Sequence, residues 1–481
     1  MSKPERPNPS QSVALTRPPA SAEHLIPVVG AGIARGNELA TGPAQVQVAE
    51  TVEQVMLTCR HDDPLQADDV RYQDLTRGRG DRSAEKLLWR LQRKQAGISE
   101  HLLFASHRGA GKTTELHRLT QSLEARYASL YIEANVAMDS HRIEIEDVLL
   151  ILARRIEQWL RERGTPIDAG LLKQVESWFF EAIGTTSWGK DWSVDVASGL
   201  KVEAGLPLLA KLLASITSLI KVESKHREEV KAVFKKFPGT LLESVNALLD
   251  AAKDILAKEN QELLIIIDNL DRYDPEVIDK LLLGNGDRIR ALRCNLILTP
   301  PISLIYQPHS EPLSSYFPCQ VMNTVRLRRP EQPYPAFDGS GRDVLLDALR
   351  LRINLSTLMP DSAVQDRLVM ASGGGIRELL SLLSDACFYA AESNRFSLDA
   401  IEKAIQERKA LMRDTINAEG LAPTLARIAR DKQLFEEPKC RRVLYLRYVF
   451  KYNGDGWYDI HPLIAELPEF QRAFQQLSLV T

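Results

Sequence analysis

Short apolar runs alternate with segments of helical periodicity along the middle of the chain. Fully apolar runs predict buried strands of the kind found in parallel sheets, because both faces of such strands are covered. A repeat of about 3.6 positions, as in residues 145–160, predicts an amphipathic helix. The pattern therefore predicts an α/β fold with a parallel sheet flanked by helices. The predicted strands are residues 102–105, 129–134, 263–268, 294–299 and 321–327.

Helical patterning dominates the remaining segments. Residues 45–58 and 84–95 are helical in pattern, and residues 62–81 have the composition of an irregular linker. Residues 164–262 are mostly helical and predict an insertion into the sheet fold, with a candidate hairpin of residues 192–196 and 200–204. Residues 341–411 are helical almost throughout. A second hairpin is predicted for residues 443–452 and 457–460, joined by Asn453-Gly-Asp-Gly.

A glycine-containing loop follows the first predicted strand and opens a helix. Small residues and a helix N-terminus allow a loop to wrap its backbone N–H groups around phosphates. Lys112 is then expected to reach the β- and γ-phosphates, and the Thr113 hydroxyl to bind Mg²⁺. Ser106 replaces the glycine that usually begins this motif, and a helix-capping loop is the alternative interpretation. The predicted ATP-binding residues are Ser106, His107, Arg108, Gly109, Ala110, Gly111, Lys112, Thr113 and Thr114.

Two aspartates follow the apolar run 263–267. A carboxylate at the C-terminal edge of a parallel strand is placed to hold Mg²⁺ on the phosphates, so Thr113 and Asp268 are the predicted metal ligands. Asp271 is predicted to orient or deprotonate the attacking water. Each aspartate also fits a capping role, Asp268 after the strand and Asp271 before a helix.

Later segments supply two more candidates. Thr299 ends the next strand and is placed to hydrogen-bond the γ-phosphate or the water, although a plain strand-ending threonine is the alternative. Arg377 opens a helix after Gly373-Gly-Gly, where its guanidinium would bridge the γ-phosphate; a solvated helical arginine is the alternative. Asp271, Lys112, Thr299 and Arg377 are thus the predicted catalytic residues. A basic group at the end of the last strand offers a finger for a neighbouring subunit: Arg326, Arg328 and Arg329.

Composition narrows the class of protein. The 481 residues carry a net charge of -3, which argues against a chain that acts as a polyelectrolyte partner as a whole. Five cysteines without C-x-x-C spacing disfavour a zinc site and a disulfide framework. No apolar segment reaches the length of a membrane span, and the N-terminus lacks the apolar core of a signal peptide. A cytoplasmic protein without a membrane partner is predicted.

The glycine-rich run 26–36 misses dinucleotide-binding spacing by one residue and is interpreted as a loop.

Together these motifs resemble AAA+ and STAND P-loop ATPases over about residues 70–465. Residues 106–113 resemble Walker A, residues 265–272 resemble Walker B, and Thr299 falls at sensor 1. Residues 374–380 are similar to the sensor 2 motif of the replication-initiator branch, and residues 72–81 occupy the place of its adenine-packing segment. Asn269 stands where AAA+ proteins have the catalytic glutamate. An aspartate placed as Asp271 is similar to the pattern of STAND and KAP families.

The C-terminal residues 457–463 resemble a winged-helix motif whose histidine senses bound nucleotide in STAND proteins. The resemblance implies that His461 contacts the nucleotide, whereas a half-buried structural histidine is the alternative. Four parts are expected. Residues 1–60 form a disordered or partly helical N-terminal extension, 61–335 a P-loop ATPase core with a helical insertion at about 164–262, 336–418 a helical lid, and 419–481 a winged-helix-like domain.

The favoured function is an ATP-binding, slowly hydrolysing switch. The resemblance implies a homo-oligomer. STAND proteins usually carry a sensor array and an effector domain on the same chain, but this sequence shows no repeat and no second catalytic motif. A separate effector or sensor protein is therefore implied, as in bacterial conflict systems and antiviral defence. A non-hydrolysing scaffold stays open because of Asn269. A nucleic-acid loader or remodeller also stays open, with nucleic acid not favoured as a partner. Its candidate contacts are Lys439, Arg441, Arg442, Arg447 and Lys451.

Overall fold

A parallel β-sheet forms the centre of the computed structural model, which describes residues 48–139, 141–164, 168–197, 207–221, 225–306, 313, 315–330, 339–452 and 456–479. The strands are β1 (His101–Ser106), β2 (Tyr127–Glu133), β3 (Glu262–Asp268), β4 (Asn295–Leu298) and β5 (Cys319–Met322). Their order is β2-β3-β4-β1-β5, and all neighbours are parallel. The predicted α/β fold is therefore confirmed.

The apolar run of β3 is continuous because the strand is covered on both faces. Successive side chains of a strand point to opposite faces. Ile265 and Ile267 pack into one hydrophobic core, and Leu264 and Ile266 pack into another. The helices that accompany the sheet are Thr76–Arg79, Ser83–Arg93, Lys112–Leu123, Ala134–Ala137, Pro275–Leu282, Gly286–Arg290 and Ile302–Ile305.

Strand β5 is shorter than the run 321–327 predicts. It is an edge strand whose register with β1 ends at the pair Ser106 and Met322. The ladder ends there because β1 turns into the glycine-containing loop. Beyond it, the backbone N–H of Arg326 donates to the carbonyl of Gly78 at 2.9 Å. The chain thus leaves the sheet after Met322, although the alternating Val325 and Leu327 continue the pattern of a strand.

A helical insertion separates β2 from β3, as its pattern predicts. Its helices are Ile145–Glu162, Ala169–Gly184, Ser187–Ala197, Leu208–Lys221, Lys225–Lys236 and Pro238–Lys258. The strand predicted for residues 192–196 is wrong, because these residues continue a helix. Trp188 and Trp192 stack with ring centroids 6.1 Å apart, and their spacing of four positions fits one helix face. Residues 200–204 and the glycine-rich run 26–36 lie outside the described residues.

A second hydrophobic core lies beside the sheet domain. Its residues come from the helix Val52–Thr58, from the helices after β5 and from the C-terminal hairpin. The Val52 N–H donates to the Asn394 side chain at 2.8 Å, which ties the first described helix to this core. The later helices are Gly339–Arg350, Leu355–Leu358, Ser362–Ala371, Ile376–Ala390, Leu398–Glu419, Ala422–Asp431, Pro438–Tyr445, Pro462–Ala465 and Pro468–Ser478.

The C-terminal hairpin is shorter than predicted. Strand β6 (Val449–Lys451) pairs antiparallel with β7 (Tyr458–Ile460), whereas residues 443–445 belong to the helix Pro438–Tyr445. Arg447 follows that helix with a φ of 63°, a left-handed conformation that commonly ends helices. The turn residues 453–455 lie outside the described residues. Within the described ranges, no helix combines the length and the apolar character that a bilayer span requires.

Gly374 lies where its backbone nearly touches the segment that follows β5. Its φ is 88°, and a Cβ there would lie 1.9 Å from the carbonyl oxygen of Val325. We expect Gly374→Ala to lower the free energy of unfolding by at least about 2 kcal/mol, because left-handed strain adds to a backbone clash. Chemical denaturation measures this loss.

Gly97→Ala is the matched control. Gly97 also has a positive φ, 81°, but no atom lies within 4 Å of its Cβ position. It is expected to cost only the conformational strain, about 1 kcal/mol. Equal losses in the two variants would show that the approach of Val325 is not what requires glycine at position 374.

Candidate functional site

The loop between β1 and the helix Lys112–Leu123 is bent by two glycines. Gly109 and Gly111 have φ values of 82° and 96°, which glycine adopts without steric cost. A Cβ at Gly109 would lie 2.8 Å from the Cβ of Arg377. The Arg377 N–H also donates to the Gly109 carbonyl at 3.1 Å. The loop therefore has the shape of an anion cradle and is contacted directly by the helix Ile376–Ala390.

Lys112 forms a buried ion pair with Asp271. Its Nζ lies 2.5 Å from Oδ2 of Asp271, and the two side chains are 5% and 8% exposed. Asp271 belongs to the short 3₁₀ turn Leu270–Arg272 that follows β3. The structure thus brings together a predicted phosphate-binding cation and a predicted water-positioning carboxylate, and each neutralises the other.

Asp268 collects hydrogen bonds from three directions. Its carboxylate accepts from Thr113 Oγ1 and Thr299 Oγ1, each at 2.7 Å, and from the Tyr131 hydroxyl. The side chain is fully buried. Burial alone would raise the pKa of Asp268, but the charge of Lys112 and the hydrogen bonds from Tyr131 and Thr113 outweigh it and hold the pKa below its usual value. Asp268 is an anion that the surrounding residues support.

The donor set around Asp268 fits a magnesium ion that arrives with phosphates. Thr113 and Asp268 offer only hydroxyl and carboxylate oxygens, which Mg²⁺ prefers, and Mg²⁺ takes its other ligands from phosphate and water. Among the residues that the structure describes, no group of three or more His, Cys, Asp or Glu side chains forms a metal cage. The two residues would therefore supply part of a coordination shell that a nucleotide completes.

Arg377 lies in the same site. Its Nε donates to the carbonyl of His61 at 3.1 Å, which fixes the guanidinium on a segment from before β1. Burial and the neighbouring charge of Arg272 lower the pKa of Arg377, whereas the charge of Asp271 raises it. The arginine is thus partly buried among groups of the site and is not a solvated helical side chain.

A cleft of about 920 Å³ joins these groups. The loop and its helix form one wall, the helix Ile376–Ala390 another, and the stretches 60–65 and 72–75 a third. Tyr72 lines the third wall, and the Arg118 guanidinium lies 3.7 Å from the centre of its ring. The predicted site residues that line the cleft are Ser106, His107, Arg108, Gly109, Gly111, Lys112, Thr113, Thr114, Asp271 and Arg377.

Other predicted site residues lie behind the cleft or away from it. Asp268 and Thr299 are buried behind Thr113 and reach the cleft through it, and Ala110 is buried in the core beneath the loop. His461 does not line the cleft, and its Nδ1 accepts from the Leu463 N–H at 3.2 Å. The expected direct contact between His461 and a nucleotide therefore has no support in this arrangement.

His461 contacts the loop through an aromatic neighbour instead. The ring centroids of His461 and Phe450 are 5.4 Å apart, and those of Phe450 and His107 are 5.2 Å apart. The backbone N–H of Lys451 donates to His107 Nε2 at 3.2 Å. The C-terminal hairpin thus packs against the far side of the phosphate-binding loop.

Sequence reasoning missed three residues that shape the site. Tyr131 binds Asp268, and Glu133 lies beside Asp268 in the register of β2 and β3. The Arg79 guanidinium donates to the carbonyl of Ala110 at 2.6 Å and so holds the loop from outside. The apolar run of β2 marks a strand, but which strand it neighbours is decided only by the sheet order.

The candidate basic residues are engaged within the protein. Arg442 pairs with Glu419 at 2.7 Å, and the half-buried Arg447 pairs with Glu378 at 3.3 Å. Arg328, a candidate finger, pairs with Asp459. These side chains therefore do not form one exposed basic surface.

Residues 109–284 match the model of the KAP family P-loop domain. Lys112, Thr113, Asp268 and Asp271 lie within this stretch, whereas Thr299 and Arg377 lie outside it. The chain therefore carries a P-loop NTPase domain that is similar to the KAP family domain. No curated protein matches the chain.

Solved structures resemble the chain distantly. The Aeropyrum pernix ORC1 protein in complex with DNA is 13% identical, with 83% of this chain and 92% of that chain covered and a TM-score of 0.37. A Walker-type ATPase of Pyrococcus abyssi is 13% identical, with 84% and 98% covered and a TM-score of 0.37. The Thermotoga maritima RuvB Holliday junction branch migration motor is 11% identical, with 85% and 98% covered and a TM-score of 0.32. At these TM-scores the likeness carries no functional inference.

The ion pair of Lys112 and Asp271 predicts a stability effect in the nucleotide-free protein. Asp271→Asn leaves the Lys112 ammonium without its buried counter-ion, and we expect a loss of about 2 kcal/mol in the free energy of unfolding. Urea denaturation without nucleotide measures it, and Asp68→Asn on an exposed aspartate is the control. An unchanged midpoint would mean that water already satisfies Lys112 in the cleft.

The burial of His461 predicts a pH effect. Burial and the charges of Arg447 and Arg408 lower the pKa of His461 to about 3, while a histidine in the unfolded chain has a pKa near 6.5. Because only the unfolded state binds the proton, stability falls as the pH drops below about 6.5. This histidine is expected to cost about 2 kcal/mol at pH 5 relative to pH 7.5.

His461→Asn tests this effect. Asparagine retains an acceptor for the Leu463 N–H but does not titrate. The decline in unfolding free energy between pH 7.5 and pH 5 should therefore be smaller in the variant by about that amount. Parallel declines in the two proteins would show that His461 already accepts a proton in the folded state.

Proposed function

We propose that the P-loop NTPase domain of this chain binds ATP with Mg²⁺, hydrolyses it slowly, and works as a conformational switch. The observation that carries the proposal is that three separate segments meet on the phosphate-binding loop. Arg377 bonds to Gly109 from the lid helix, Arg79 bonds to Ala110 from the segment before β1, and Lys451 bonds to His107 from the C-terminal hairpin. A change in the conformation of the loop would therefore alter its contacts with all three segments.

The phosphate-binding role rests on the loop and the helix it opens. Backbone N–H groups at Gly109 and Gly111 and the N-terminus of the helix Lys112–Leu123 favour an anion. Lys112 would bind the β- and γ-phosphates, and Thr113 and Asp268 would hold the metal. Bound Mg²⁺ neutralises part of the charge that develops on the phosphates.

A change of ion-pair partner would link binding to hydrolysis. When phosphate oxygens bind the Lys112 ammonium, its ion pair with Asp271 breaks. The Asp271 carboxylate then becomes free to accept a hydrogen bond from the attacking water. Thr299 bonds to Asp268 at 2.7 Å and would support this network from behind. Asn269 cannot accept a proton from water, which favours slow turnover.

The C-terminal segment would sense the loop by packing. The Arg108 guanidinium lies 4.4 Å from the centre of the Tyr445 ring and donates to the Tyr445 carbonyl at 3.1 Å. His461 reaches His107 through Phe450. We infer that His461 acts in this packed contact and not as a nucleotide ligand. The winged-helix character of residues 419–481 and the domain boundaries at about 61, 336 and 419 are part of the proposal.

The partner side of the proposal rests on the sequence resemblance. It comprises a homo-oligomer, a separate effector or sensor protein, and a role in bacterial conflict or antiviral defence. The helical insertion between β2 and β3 offers a surface for such a protein. Since Arg442 and Arg447 are paired with acidic residues, nucleic acid is not favoured as the partner.

Nucleotide binding and phosphate release test the function. Lys112→Ala should weaken ATP binding by at least about tenfold, because it removes a charged contact to the phosphates. Asp271→Asn should keep ATP binding but lower the rate of phosphate release about 100-fold or more, as expected for loss of a water-positioning group. Calorimetric titration and a phosphate-release assay measure the two effects, after circular dichroism has confirmed that each variant is folded.

Asp68→Asn is the control for the aspartate variant and should match the wild type. Unchanged phosphate release in Asp271→Asn would remove Asp271 from the hydrolytic step. ATP binding without any phosphate release from the wild type, alone or at high protein concentration, would favour the non-hydrolysing scaffold.

A further inference from the structure

Arg272 is a cation of the cleft to which no role has yet been assigned. It ends the turn Leu270–Arg272, directly after Asp271, and lines the same cleft as Lys112 and Arg377. Its side chain is exposed. Within the described ranges, no carboxylate lies within ion-pair distance of the Arg272 or the Arg377 guanidinium. Two guanidinium groups without a direct carboxylate partner therefore line the cleft together with the phosphate-binding loop.

We propose that Arg272 recognises the terminal phosphate of a nucleoside triphosphate and makes the site prefer a triphosphate over a diphosphate. This inference rests on the proposed ATP-binding function. Asp271 would position the water that attacks the terminal phosphate, and Arg272 is the next residue on the same short turn. A planar guanidinium suits the paired oxygens of a phosphate.

The charge balance of the cleft supports this assignment. The charge of Arg272 lowers the pKa of Arg377, so the two cations repel each other across the nucleotide-free cleft. The carboxylate of Asp271 offsets this repulsion only in part, because Asp271 is also the direct ion-pair partner of Lys112. A terminal phosphate placed between the two arginines would replace this repulsion by attraction to both.

The turn that carries Arg272 also touches the C-terminal segment. The Tyr445 hydroxyl donates to the backbone carbonyl of Arg272 at 3.4 Å, and the carbonyl of Tyr445 accepts from Arg108. Tyr445 therefore lies against both the turn and the phosphate-binding loop. A phosphate held by Arg272 would therefore act on a turn that directly contacts Tyr445, the last residue of the helix Pro438–Tyr445.

Calorimetric titration with a non-hydrolysable ATP analogue and with ADP, both with Mg²⁺, tests the inference on the full chain. Arg272→Ala should weaken binding of the triphosphate about tenfold or more and that of ADP less than twofold, because only the triphosphate has the group that Arg272 contacts. Arg272→Lys keeps the charge without the planar guanidinium, and its affinity for the triphosphate should lie between those of the wild type and Arg272→Ala. Arg290→Ala, at an exposed arginine outside the cleft, should bind both ligands like the wild type.

The ratio of the two affinities separates recognition from a structural role. Equal weakening of both ligands in Arg272→Ala, or no weakening of either, overturns the inference while the wild-type affinity for ATP leaves the proposed function standing. A wild-type protein that binds neither ligand overturns the proposed function and this inference with it. Preference for the analogue that is lost in Arg272→Ala and partly kept in Arg272→Lys is the supporting result.

Discussion

The buried carboxylate of Asp268 is the group on which the site depends. A fully buried charge is tolerated only when surrounding donors replace water. Its donors come from the P-loop helix through Thr113, from β2 through Tyr131 and from the end of β4 through Thr299. Movement of any one of these elements would leave the buried carboxylate without one of its hydrogen-bond donors. The same hydrogen bonds that stabilise the anion therefore hold the sheet edge and the loop in register.

The ion pair of Lys112 and Asp271 has a different character. It lies at the cleft, so in the proposed function an incoming phosphate would compete for the lysine with the carboxylate that is assigned to the attacking water. Asp268 supplies a fixed anion, and Asp271 supplies one whose partner can change. In the proposed function, this division between a permanent and an exchangeable contact is the physical basis of the switch. The loop above it is contacted by the helix Ile376–Ala390 and the C-terminal hairpin, which are the segments that would respond.

Much of the fold could be predicted from the sequence because a buried parallel strand needs apolar residues on both faces. Strand β3 shows this directly, since its alternate residues enter two different cores. The prediction for β5 failed because of a tertiary contact, since the strand ends where its partner β1 turns into the loop. The strand predicted for residues 192–196 failed at the local level, because these residues continue the helix Ser187–Ala197, in which Trp192 stacks on Trp188.

The sequence by itself determined the phosphate-binding loop, the apolar strands and the acidic residues at their ends, because glycine conformation, periodicity and residue chemistry are local properties. Only the tertiary structure decided which of these groups meet. Spacing alone does not reveal that Tyr131 binds Asp268, that Arg79 holds the loop, or that His461 lies behind the loop and away from the cleft. Those contacts join residues far apart in the chain, and they exist only because the sheet order and the packing of the second core place them side by side.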